Sequence, residues 1–328
     1  MYQMMSLPLY SGTLGEYNSW RDLGQELERL GCDGIEGVWG GEDLPKDLPA
    51  ELILGYHLFF YPDWLDFYRD DRAALKQKFG SLEVTASFYG GLGPDTLLEQ
   101  YRADLRRAVN LGARYVVFHV SDVSLEEGYT YRWLHTNQEV IDAAVEVVNL
   151  ILGEERWPFE FLVENQWWPG FTFTEPEETA RLLEGIRFAG KGILLDTGHL
   201  MNACTELKTE AEGADYIRRM LNRHGSLAKW VRGVHLHQSL SGAYVKAHTG
   251  SLPAGLPEDY MERFGVSYQH ILQIDQHRPW TDPAILSVLE QIEPRYLTHE
   301  LSSRGRMARA EAVSVQTRLL QQGGRMRV

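Results

Sequence analysis

The stretch Ile193-Leu194-Leu195-Asp196-Thr197-Gly198-His199 decides how this chain is read. A short apolar run of this kind reads as a buried parallel strand. Here it ends on a carboxylate, with a glycine and a histidine just beyond. Five other runs have the same form: Leu54-Gly55-Tyr56-His57, Val116-Val117-Phe118-His119, Phe161-Leu162-Val163-Glu164, Val231-Arg232-Gly233-Val234-His235 and Tyr296-Leu297-Thr298-His299-Glu300. Each ends on a residue type that ligates metal ions, and helical sequence separates them. A barrel gathers side chains around one point on its top face by carrying them at the carboxyl ends of successive strands. The six endings therefore predict one site.

The remaining sequence supplies the alternation. Strands are expected near Met4 to Leu9 and over Cys32 to Val38, and helices over Tyr17 to Leu30, Pro62 to Phe79, Pro94 to Asn110, Asn137 to Leu152, Asp215 to His224, Pro283 to Ile292 and Ala308 to Gln321. Gly31 is placed to end the first helix in a left-handed conformation. Thr174-Glu175-Pro176-Glu177 has the form of a capping box opening a helix to about Ile186. The run Leu82 to Phe88 is short and is left unassigned, with a strand as one reading. About eight strand–helix repeats predict a single (β/α)8 TIM barrel over residues 1–328, with a long loop insertion after strand 7 (residues 238–280). An open doubly wound sheet is the alternative, but Gly90-Gly91-Leu92-Gly93 does not match a dinucleotide-binding fingerprint and reads as a turn.

The chain of 328 residues is 44% hydrophobic, enough for a large core, and has a formal net charge of −14. A surface so acidic repels a polyphosphate backbone, which disfavours nucleic acid as a partner. Cys32 and Cys204 are too few for a disulfide framework. The first residues lack the basic region of a signal peptide, and no apolar run has membrane-spanning length. The expectation is a soluble, cytoplasmic protein with no membrane partner, and a homo-oligomer is left open.

Glu164 and Glu300 each follow apolar residues, so either carboxylate would be costly to desolvate without a cation or an arginine. Adding Asp196 and His235 gives three carboxylates and an imidazole, a hard donor set suited to Mn²⁺, Mg²⁺ or Co²⁺, with Zn²⁺ also accommodated. His57 and His119, with a bridging Glu164, would form a second and more zinc-like site. His199 is a candidate substrate contact or further ligand, turned back toward the centre by Gly198. His235 and His237 lie two apart and share a strand face; His235 is preferred as the ligand, because apolar residues precede it directly. His299 should point the other way, into the helix-facing layer. Trp39, Phe59, Phe60, Tyr61, Trp64, Trp167 and Trp168 follow strands, and Trp167 and Trp168 are the preferred contacts for a carbohydrate-like substrate. The insertion has the length of a lid or binding element and carries Lys246, His248 and His277, with a helical stretch around Pro257 to Phe264. His248 is taken as a further substrate contact. Arg304 and Arg306 either hold a phosphate or are solvated.

The order of these strand-end motifs resembles the xylose isomerase-like TIM barrels, a group that includes sugar-phosphate isomerases and epimerases, ketose 3-epimerases and an endonuclease IV branch. The resemblance spans roughly residues 30–305 and is carried by Asp196-Thr197-Gly198-His199 and His235-Leu236-His237-Gln238-Ser239. It implies a metal held by Glu164, Asp196, His235 and Glu300, the two glutamates serving also as acid and base, and His199 on substrate oxygen. The endonuclease IV branch adds histidines matching His57 and His119, and an Asp-x-His element beyond strand 7. The nearest equivalent taken for that element is Lys246-Ala247-His248, which lacks the aspartate. The expected function is thus a metal-dependent isomerase or epimerase of a sugar, sugar phosphate or polyol, working by glutamate-mediated proton transfer through an enediolate. A multinuclear zinc phosphoesterase and a non-catalytic carbohydrate-binding barrel are the alternatives.

Overall fold

In a computed structural model that describes residues 1–323, parallel strands β1 (Tyr2–Leu9), β2 (Gly34–Trp39), β3 (Ile53–His57), β4 (Tyr115–His119), β5 (Glu160–Glu164), β6 (Lys191–Asp196), β7 (Val231–Leu236) and β8 (Tyr296–His299) pair in sequence order. The β1–β8 pairing closes the barrel. The expected (β/α)8 architecture is the observed one.

Parity along each strand then decides where side chains go, because successive residues face opposite sides. Leu162, Leu194, Val117 and Tyr296 pack with Met4, Leu54 and Tyr115 inside the barrel. Phe161, Val163, Ile193, Leu195 and Leu297 join the larger core between strands and helices. Glu164, Asp196 and His119 stand two residues beyond inward-facing apolar residues, and Glu300 four beyond Tyr296. The apolar interior therefore aims each of them at the axis. Each buried aliphatic or aromatic side chain contributes roughly 1.5–3 kcal/mol, so a register slip that turned these positions outward would forfeit the core with the site.

Most expected helices form where the sequence places them, including Pro94–Asn110, Asn137–Leu152 and Ala284–Ile292. The first begins later than expected, at Trp20, capped by Ser19 and ended by Gly31 at φ 73°. Three local readings are corrected, and the run left open is resolved. Pro62 to Phe79 splits into Leu65–Tyr68 and Arg72–Phe79, because Asp71 accepts from the amides of Ala73 and Ala74 and starts a new helix. Leu82–Tyr89 is a helix, capped by Ser81 and stopped at Gly90. Thr174 caps nothing: its hydroxyl bonds Thr172 at 2.7 Å, and Glu175 opens the helix Pro176–Gly185 without a side-chain cap. The insertion after β7 contains two helices, Gly242–His248 and Tyr260–Ile274, the second running well past Phe264.

The loop after β5 carries Trp167 and Trp168, and backbone pairing fixes it. The Phe171 amide donates to Val120 O, Asp122 to Pro169 O and Gln166 to Phe171 O. Gly170 sits at φ 131°, with its Cα against the Val120 carbonyl where a Cβ would collide. Gly170→Ala should lower stability by roughly 1–3 kcal/mol, read as a fall in denaturation midpoint. An unchanged midpoint would mean that the loop is not held in this conformation.

Candidate metal centre

Ten side chains meet at the carboxyl ends of the strands in three clusters, each with its donor atoms within 4.8 Å of one another. His57, His119 and Glu164 form one; Glu164, Asp196, His235 and Glu300 form the central one; His199, His237, Asp275 and His277 form the third. Glu164 joins the first two clusters. Its Oε2 lies 3.4 Å from His57 Nε2 and 3.0 Å from His119 Nε2, and its Oε1 lies 3.3 Å from His235 Nδ1 and 3.2 Å from His199 Nδ1. In the central cluster His235 Nδ1 is also 2.9 Å from Glu300 Oε2 and 3.7 Å from Asp196 Oδ2. In the third, Asp275 Oδ2 is 3.3 Å from both His199 Nε2 and His277 Nδ1.

The surroundings fix which atoms are available. His57 Nδ1 is 2.8 Å from the Leu58 carbonyl, which can only accept, so Nδ1 carries the proton and Nε2 presents a lone pair toward His119 and Glu164. His199 Nδ1 is likewise 3.0 Å from the Asn165 carbonyl, leaving Nε2 for Asp275. Asp196 Oδ1 caps the short helix Thr197–Asn202 by accepting from the His199 amide at 2.6 Å, which leaves Oδ2 facing His235 and His237. Gly198 is required for a steric reason rather than for a turn: a Cβ there would run into the His237 ring.

Glu36, on β2, is a site residue that the strand-end pattern misses. It is fully buried inside the barrel. Tyr115 and Thr298 donate to its Oε2 at 2.6 and 2.9 Å, and its Oε1 lies 2.8 Å from His235 Nε2. A carboxylate behind the distal nitrogen of a histidine orients the ring and raises its basicity. Glu36 ends no apolar run; an acid in the middle of a strand was the only available signal.

These groups fit metal ions. Burial alone would raise the Glu164 carboxyl, but the His119 and His235 rings outweigh it and hold it well below its ordinary value. The same balance holds Glu300 low against His235 and His277. Burial acts to lower His235, yet Glu300, Glu36 and Glu164 overcome it and hold it well above the usual imidazole range. Asp275 is lowered to about 2 despite burial, through His277 and His199. Even so, Glu164 Oε2, Asp275 Oδ1 and Glu300 Oε2 are buried without a hydrogen bond of good geometry, a costly arrangement unless cations complete it.

Of the residues expected at the site, Glu164, Asp196, His235, Glu300, His57, His119 and His199 come together. Both His235 and His237 take part, in different clusters. Trp167 and Trp168 line the cavity above the clusters, with the Trp167 ring 5.1 Å from that of His199. Phe60 lines it too; Trp39, Phe59, Tyr61 and Trp64 do not, and pack behind it. His299 faces outward, 2.7 Å from Gln316 Nε2 in the helix Arg306–Gln322, as expected.

Lys246-Ala247-His248 is the main correction. Lys246 pairs with Glu206 at 2.7 Å, and His248 stacks on Tyr244 in an exposed position outside the cavity. An Asp-x-His sequence that does reach the clusters is Asp275-Gln276-His277, which follows the helix Tyr260–Ile274 rather than an apolar strand and so lies outside the strand-end pattern. Arg306 is drawn away by Asp22 and Glu26, at 2.7 and 2.8 Å.

With this geometry in hand, the comparisons define the class. The family model described as "Xylose isomerase-like TIM barrel" matches residues 25–313, and the chain belongs to that family. Its fold is similar to that of a D-tagatose 3-epimerase-like protein (15% identity, 99% of this chain and 98% of that one, TM-score 0.53). It is also similar to an L-ribulose 3-epimerase (12% identity, 98% and 94%, TM-score 0.54) and to the IOLI protein with a binding zinc atom (16% identity, 98% of each, TM-score 0.51). At these identities the likeness is one of fold. No curated protein matches the chain in sequence. Among the described residues, no helix is long and apolar enough to cross a membrane.

Glu36→Leu should leave the fold intact and weaken divalent-ion binding about 10- to 100-fold, as loss of a ligand's orienting partner does. Competition titration with a chromophoric chelator measures this, and wild-type affinity in the variant would remove Glu36 from the site.

Proposed function

We propose that the chain is a metal-dependent phosphoester hydrolase with three divalent-ion positions. The observation that carries this reading is the third cluster: His199, His237, Asp275 and His277 stand beside the other two, with Asp275-Gln276-His277 supplying the carboxylate that Lys246-Ala247-His248 lacks. The two outer clusters are rich in imidazole and suit Zn²⁺; the central one is rich in carboxylate.

Ions bound there would neutralise phosphoryl oxygens and acidify a water molecule. The protein's own groups divide the remaining work. Glu164 is fully buried and does not line the cavity, and the same holds for Asp196 and His235, so these three act as holding groups. Glu300 does line the cavity, and its side chain is 19% exposed. Ionised and at the cavity floor, it is placed to take the proton from the attacking water as the new P–O bond forms; the ester P–O bond breaks, and the departing alkoxide or phenoxide leaves through the cavity to take a proton from solvent.

Isomerisation is the second reading, favoured by the Glu164–Asp196–His235–Glu300 set that the family resemblance attaches to epimerases. That mechanism needs both glutamates at the substrate, and the enclosure of Glu164 weighs against it.

Metal analysis separates the two. The hydrolase reading expects about three ions per chain after reconstitution with Zn²⁺, one fewer in the double variant His57→Ala/His119→Ala, and hydrolysis of simple aryl phosphoesters that falls about 10²-fold or more in the variant and on chelation. One ion per chain, ketose epimerisation and no phosphoester turnover would establish isomerisation instead. Glu300→Gln should lower phosphoester turnover by a similar factor while retaining the ions of the two outer clusters. Undiminished turnover would remove Glu300 from proton transfer.

A further inference from the structure

Above the clusters lies a cavity of about 410 Å³. His57, His119, His199, Asp275, His277 and Glu300 form its floor, so a molecule in the cavity touches all three clusters. The helix Tyr260–Ile274 forms its roof, facing inward with Tyr260, Phe264, Ile271 and Leu272 among others. His270 ties this helix to its neighbour Leu125–Thr130. Its Nε2 lies 3.2 Å from the Gly128 carbonyl, its Nδ1 3.0 Å from Tyr244 Oη, and its ring stacks on Tyr129 at 4.3 Å.

The chemistry of the walls selects what enters. Among the described residues, none lining the cavity is lysine or arginine. A second phosphate or a polyanionic backbone would find no cation there beyond the floor. Several polar side chains in the wall are already engaged. Asp63 Oδ1 pairs with Lys78 at 2.7 Å, Ser124 caps its own helix, and both nitrogens of His270 are used. A sugar's hydroxyl groups would give up water for few partners, a net cost. Apolar and aromatic surface from Phe60, Val123, Trp167, Trp168, Phe264 and Ile271 would instead favour a group of its own kind. Among the described residues that form the walls, Asp63 Oδ2, Trp167 Nε1, Trp168 Nε1 and Ser267 Oγ are buried without a hydrogen-bond partner. The two indole nitrogens and the Ser267 hydroxyl can donate, which suits an acceptor oxygen on an otherwise apolar group.

Resting on the hydrolase reading, we infer that the substrate is a small phosphoester of an uncharged, largely apolar alcohol or phenol, rather than of a sugar or a nucleic acid. The phosphoryl group sits on the floor, and the organic group lies under the roof helix against Trp168 and Ile271.

Phosphonates test this by binding, without turnover. With Zn²⁺-reconstituted protein in a calorimeter, phenylphosphonate should bind roughly 10- to 100-fold more tightly than methylphosphonate, the scale expected for burying a phenyl-sized group. It should also bind more tightly than 3,4-dihydroxybutylphosphonate, a polyol of similar size. Ile271→Gln should reduce the ratio of phenylphosphonate to methylphosphonate affinity toward one, with metal content unchanged. If methylphosphonate binds but phenylphosphonate binds no better, or if the polyol equals it, the substrate class is wrong and the hydrolase reading stands. If neither phosphonate binds the metal-loaded protein, the hydrolase reading falls and takes the inference with it. The wild-type comparison decides the matter even if the variant fails to fold.

Discussion

Glu164 holds the centre together by dividing its two oxygens. One faces His57 and His119 and the other faces His199 and His235, all within 3.4 Å. A fully buried carboxylate cannot stand alone in a low-dielectric interior. Its neighbours therefore have to converge from β3, β4, β6 and β7, and strands that fail to bring them leave a charge uncompensated. The barrel meets this demand through register: β4 pairs His119 with Glu164, and β6 pairs Asp196 with His235. The same alignment that fills the interior with apolar side chains stacks the donors at one level.

Beneath that level, a second layer of polar contacts keeps the rings in place. Tyr115 and Thr298 hold Glu36, and Glu36 stands behind His235. Thr197 Oγ1 donates to the carbonyls of His235 and His237, and Trp280 Nε1 donates to the latter at 2.8 Å. Asn165 clamps β5 to β6 by bonding both the amide and the carbonyl of Asp196. These groups sit on rigid strands or directly after them, the placement that keeps a ligand set close to its working geometry.

Legibility in the sequence followed the same physics. The barrel and the strand-end ligands were readable because a buried parallel strand is a continuous apolar run, and a polar residue at its end is conspicuous. Leu82–Tyr89 misled because a short apolar run looks alike in a strand and in a buried helix segment; Ser81 and Gly90 at its ends were the arbitrating signals. Thr174 misled because a capping sequence is only an opportunity, and its hydroxyl found Thr172 first. Asp275 and His277 were invisible to the strand rule. They lie beyond a helix, and only the folding of the insertion over the barrel brings them to the third cluster. Lys246-Ala247-His248 resembled the missing element in order along the chain, and order along a long insertion says little about position in space.

That insertion joins two properties that would otherwise be independent. The helix Tyr260–Ile274 roofs the cavity, and its last turn runs directly into Asp275. Asp275 contacts His199, while His277 stacks on His237 at 4.1 Å and lies 3.7 Å from Glu300. Moving the roof away would therefore pull on two donors of the third cluster. Its far end has no such tether to the floor; Tyr260 packs against Phe79 and Phe88 outside the barrel. The helix is anchored at one end by the contacts of Asp275 and His277 and at the other by aromatic packing. The third cluster and the roof of the cavity are in this way joined in one structural element.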